Sequence, residues 1–136
     1  MGDINGHVGQ DRQGYEEHLG HLSIGKRNEE GKTIMNICTR NNMKVMNTYF
    51  KHRQSHKYTW YGWNREACEY TRKTMIDIFL STNHKIITDD KAIPSVSMDS
   101  DHRLVVMKTK ILAHKAQAVR KTKQINAKNL DDLSKL

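Results

Sequence analysis

The stretch TMIDIFLST, residues 74–82, limits what this chain can fold into more than any other segment. It reads as a strand in which Ile76, Ile78 and Leu80 point one way while Met75, Asp77 and Phe79 point the other. An acid on an apolar-flanked strand face needs a reason. Asp77 could be an edge charge that blocks aggregation, or it could belong to a site.

Short elements of both kinds surround that strand. GDINGHVG, residues 2–9, is loop chemistry, and the following segment to Gly31 stays polar and glycine-punctuated. Asn28 is placed to cap a helix, with Glu29 and Glu30 in the first turn where carboxylates favour the positive helix end. Ile34, Ile37, Cys38 and Asn41 share one stripe of that helix, and RNN ends it. MKVMNTYF then reads as a strand, YTWY as a short strand and GWN as a turn. KIITDD and IPSVSM are weaker strands joined across Pro94. In the better strand HRLVVMKTKIL, Leu104 and Val106 face opposite to Val105 and Met107. Residues 1–112 read as one α+β unit of short strands with one or two helices. Residues 113–136 read as a basic linker or helix.

Chemistry-bearing residues gather at three places: Asp3 and Asn5 near the start, Asp77 in the strand, and Asp101 with His102 before the last strand. Hard divalent cations such as magnesium take carboxylate oxygens and keep several waters, so one or two acids suffice to hold them. A histidine fixed by a carboxylate has a set tautomer and raised basicity, which suits phosphate contact or proton transfer. Together these groups would serve phosphodiester hydrolysis. Each also has a plainer role. Asp3 and Asn5 suit turns in a glycine-rich loop, and DSDH suits a polar turn before a strand.

Taken in order, GDINGHVG, TWYGWN…KTMIDIFLST and SMDSDHRLVV resemble the last three motifs of the endonuclease/exonuclease/phosphatase superfamily. The spacing, the YTW strand and the basic tail look most like endonuclease domains of RTE-type non-LTR retrotransposons and host proteins derived from such elements. The resemblance implies a four-layer αββα sandwich, mainly antiparallel, of which residues 1–112 of this chain supply the C-terminal half as a partial domain, truncated at its N-terminus. It implies a cofactor, Mg2+ or Mn2+ in its place, and these roles: Asp3 activates the attacking water or binds metal, and Asn5 holds the scissile phosphate. Asp77 orients His102, His102 contacts that phosphate, and Asp101 is a metal ligand. The family's early Asn, its Glu metal ligand and its Tyr are not found ahead of GDIN. In an intact element a reverse transcriptase domain would be attached, and self-association could cover the exposed sheet.

The net charge is +8, and from Ala113 onward six Lys or Arg stand against two Asp. Such an excess points to an anionic partner, DNA first, although a soluble basic protein without one has the same composition. Lys57, Tyr58, Trp60, Trp63 and Lys73 interleave basic and aromatic side chains that could lie against DNA. For Trp60 itself, packing in the sheet core is the preferred reading. Cys38 and Cys68 have neither metal nor disulfide-framework spacing. With no run of about 18 apolar residues and no signal peptide, the expectation is a nuclear or cytoplasmic protein without membrane contact. Three functions follow: a magnesium-dependent DNA endonuclease domain impaired as a fragment; a catalytically inactive, domesticated remnant binding nucleic acid or protein; and a phosphatase of small esters, against which the charge excess argues.

Overall fold

A computed structural model of the chain describes residues 1–96 and 99–111; the tail expectation for residues 113–136 lies outside them. The fold is α+β. Helix α1 (Glu29–Asn41) begins where Asn28 leaves the extended region and its side chain accepts from Gly31 N at 2.8 Å. It ends where Asn42 takes a left-handed conformation, with φ 52. Both caps match residues suited to those positions. Its buried face is Gly31, Ile34, Met35 and Cys38, whereas Ile37 is exposed. The expected stripe was therefore off by part of a turn: Met35, not Ile37, meets the core.

Strand β1 (Gly2–Asp3) pairs antiparallel with β5 (Asp77–Ile78), putting Asp3 opposite Asp77. Strand β2 (Lys44–Val45) pairs with β6 (Leu80–Ser81). The hairpin of β3 (Trp60–Asn64) and β4 (Glu69–Thr74) carries a bulge between Gly62 and Trp63. A second hairpin joins β7 (Ile87–Ile93) to β8 (Leu104–Thr109). The two hairpins touch through β3, where Tyr61 N donates to Asp101 O at 3.0 Å and Arg103 N to Thr59 O at 2.7 Å.

Several expected elements change. TMIDIFLST is not one strand: β5 and β6 are separated at Phe79 and pair with different partners. Its alternation fails accordingly, because Met75 and Ile78 enter one core with Val8, Leu19, Ile34 and Val45 while Phe79 enters another with Met46 and Ile87. In MKVMNTYF only Lys44–Val45 is strand, and Met46–Thr48 tighten into a 3-10 turn. GWN belongs to β3, the turn coming at residues 65–68 instead. KIITDD runs on into a single strand to Ile93, and residues 94–96 of IPSVSM are turn or bend. The expected facing in β8 holds in part: Val105 and Met107 pack on the second core, and Leu104 is exposed.

Candidate active site

The Asp77 peptide is gripped by two buried polar side chains. Thr59, only 1% exposed, accepts from Ile76 N at 3.0 Å and Asp77 N at 3.1 Å through Oγ1. Asn47 Nδ2 donates to Asp77 O at 3.3 Å, and its Oδ1 accepts from Phe79 N at 2.7 Å. An irregular strand without a full ladder leaves backbone groups to satisfy, and these side chains satisfy them. The Asp77 carboxylate is thereby fixed toward His102.

His102 Nδ1 lies 2.8 Å from Asp77 Oδ2. A carboxylate accepts, so Nδ1 carries the proton and Nε2 faces outward. Nε2 stands 3.6 Å from Asp3 Oδ2 and 3.9 Å from Asp101 Oδ1. The Asp77 hydrogen bond raises the imidazole above its usual range; desolvation opposes it, and the Asp77, Asp3 and Asp101 charges add to the rise. Three acids and one imidazole from three distant parts of the sequence thus share one place.

Asp3 is held in a turn, its Oδ1 accepting from Asn5 N at 3.0 Å while Asn5 adopts a left-handed φ of 49. This is the turn role that the loop composition suggested, and it coexists with Asp3 facing His102. Asn5 is exposed beside it. Asp101 is anchored by Trp60, whose indole N–H donates to its Oδ2 at 2.8 Å.

Among the described residues, Asp3, Asp77 and His102 place one ligand atom each within 4.8 Å of one another. Asp101 approaches His102 from the rim, 3.9 Å from Nε2, outside that tight group. The Asp3 and Asp101 side chains are 38% and 55% exposed. Open carboxylates suit a hard cation that keeps its waters.

The basic and aromatic residues divide. Trp60 is half-buried, with its ring over Gly62, where a Cβ would strike it. It is therefore neither fully in the core nor free to stack. Trp63 is exposed and meets Tyr70 edge-on at 4.9 Å. Lys73 Nζ sits 4.7 Å over the Tyr58 ring, and Lys57 Nζ donates to Leu22 O at 3.3 Å. Tyr61 and Arg103 extend the same surface, the guanidinium 4.6 Å over the ring. Sequence reading missed Arg103, Thr59 and Asn47. Arg103 directly follows the Asp-His pair, which was a usable signal. The other two carry none, since their work depends on being buried against an irregular backbone.

Craniofacial development protein 2 of Bos taurus is 27% identical to this chain over 136 residues, which is 95% of the chain and 22% of that protein. The Tragulus javanicus protein of the same name is 26% identical over 114 residues, 82% of the chain and 18% of its own length. The chain spans about a fifth of the length of the curated relatives it matches. No family model matches it, and neither does any solved structure. The likeness is thus a distant one to craniofacial development protein 2.

Proposed function

We propose that this chain is part of a magnesium-dependent DNA endonuclease domain of the endonuclease/exonuclease/phosphatase superfamily, of retrotransposon origin. The carrying observation is the Asp77–His102 pair at 2.8 Å with the Asp3 and Asp101 carboxylates around its outer nitrogen. The donor set fits a hard divalent cation, all oxygen apart from one imidazole and open to water. Asp3 and Asp101 would hold it, and it would polarise a phosphoryl oxygen. His102, oriented by Asp77 and protonated on both nitrogens, donates from Nε2 to the phosphate, Asn5 holds the scissile phosphate, and Asp3 takes the proton of the attacking water. Lys57, Tyr58, Trp60, Trp63 and Lys73, with Arg103, line the approach of the DNA backbone.

A second reading is a non-catalytic remnant that keeps binding to nucleic acid or protein. It is favoured by how few ligand groups converge: among the described residues Asp3, Asp77 and His102 form the tight cluster, and Asp77 is already committed to His102.

Nicking of supercoiled plasmid by this chain, with and without Mg2+, separates the two. Metal-dependent nicking that falls about 10²–10⁴-fold in His102→Ala supports the enzyme, that being the usual scale for loss of a positioned acid–base group. Nicking unchanged in both Asp3→Asn and His102→Ala overturns the assigned roles. Retarded DNA mobility with no nicking under any condition supports the remnant.

A further inference from the structure

Beside the Thr59 and Asn47 side chains that grip the Asp77 peptide lies a pocket of about 10 Å3, to which His52, His56, Lys57 and Asp90 also contribute. Two polar groups in it are left over. Asp90, on β7 opposite Met107, is 4% exposed, and its Oδ2 has no hydrogen-bond partner among the described residues. Thr59 Oγ1 already accepts from Ile76 N and Asp77 N. A hydroxyl has two lone pairs and one hydrogen, so Thr59 still has its hydrogen to give. One group lacks a donor and the other an acceptor, and both residues line the same small space. A buried unpaired polar atom is costly, which is why such groups recruit water where there is room.

We propose that the pocket holds one buried water, which accepts from the Thr59 hydroxyl and donates to Asp90 Oδ2, making Asp90 a positioning residue for Asp77. About 10 Å3 is close to what a single water needs. Asn47 Oδ1, which takes one hydrogen bond from Phe79 N, offers its second lone pair to the other hydrogen of the water. Both side chains that grip the Asp77 peptide are then tied to one acid across the pocket.

That acid changes charge near neutrality. Burial, then the neighbouring Asp89, raises Asp90 to about 7, and His52 opposes the rise. The other charged groups facing it have their own partners: His52 Nε2 is 2.6 Å from Asp89, His56 Nδ1 is 2.9 Å from Ala92 O, and Lys57 Nζ reaches Leu22 O. None of them neutralises Asp90 directly. When Asp90 takes up its proton, the water loses its strongest acceptor and the tie to Thr59 weakens. The water site rests on hydrogen bonding alone; its bearing on catalysis rests on the proposed function.

NMR on the whole chain tests this without any nuclease assay. A water contact to the Thr59 side chain in the unsubstituted protein is expected, and its absence overturns the buried water. The Asp90 carboxyl carbon is expected to titrate well above the ordinary carboxylate range. The exchange protection of the Asp77 amide should change severalfold with the same midpoint, and Asp90→Asn should remove that step. An Asp90 that titrates like an exposed acid overturns the coupling, as does a step that persists in Asp90→Asn. Because His102 also touches Asp77, that variant is the one that separates the two titrations.

Discussion

At the residue scale the two nitrogens of His102 have different tasks, and Asp77 sets the division by taking the Nδ1 proton. Its imidazole is raised above 6.5, first by that hydrogen bond. For a base with a raised folded value, the added stability is fully present below the unfolded value and lost as pH climbs through the folded one. Asp90 acts in the same direction. Raised from 3.8 to about 7, it keeps its proton longer in the native state than in the unfolded chain. Stability therefore falls as pH rises between those two values. The urea midpoint should accordingly be higher near pH 5 than near pH 8, and Asp90→Asn should flatten the acidic part of that slope. Asp77→Asn should bring the His102 titration, followed by its ring protons, back toward 6.5. The acids and the imidazole were legible because their order along the chain carries the chemistry. Thr59 and Asn47 were not, because a threonine and an asparagine in a short apolar run look the same whether they face solvent or a naked peptide.

At the scale of elements, α1 does more than cover the core. Asn28 Oδ1 accepts from Gly31 N and also from His7 N at 2.9 Å, so one side chain caps the helix and pins the loop that carries Asp3 and Asn5. Gly31 lets that loop come in, since a Cβ there would fall on the His7 carbonyl. Alanine in place of a helical glycine normally gains about 0.5–1 kcal/mol. Here overpacking against backbone, about 1–3 kcal/mol, outweighs that gain, so Gly31→Ala should lower the unfolding midpoint. Asn28→Ala should cost about 0.5–2 kcal/mol through the lost cap. The helix was readable from its caps and acidic first turn. The broken strand at Phe79 was not: period-two reasoning assumes one partner along the whole run, and here successive dipeptides pair with different strands.

At the scale of the molecule, the α+β class followed from the mixture of one capped helix and many short strands. Its arrangement, among the described residues, as four two-stranded pairs did not follow, because pairing is decided by residues far apart in sequence. Charge has the same global character. A chain of net charge +8 brings an acidic cluster to one site, so under the proposed function DNA would be drawn in by the surrounding lysines and arginines rather than by the site itself. Binding measured by fluorescence anisotropy should weaken linearly in log–log salt plots, and Lys73→Ala or Arg103→Ala should each reduce the slope by about 1. Lys57→Ala should reduce it less, its ammonium being engaged by Leu22 O.

The indole of Trp60 bonded to Asp101 gives the molecule a built-in optical gauge. With Trp63→Phe, emission comes from that ring alone, the chain having two tryptophans. Any cation that draws Asp101 toward itself alters the dipole at the indole nitrogen, so titrating Mg2+ should displace the emission maximum. In an Asp101→Asn background the same titration should leave the spectrum still, which turns a colourless ion into something a spectrometer can follow.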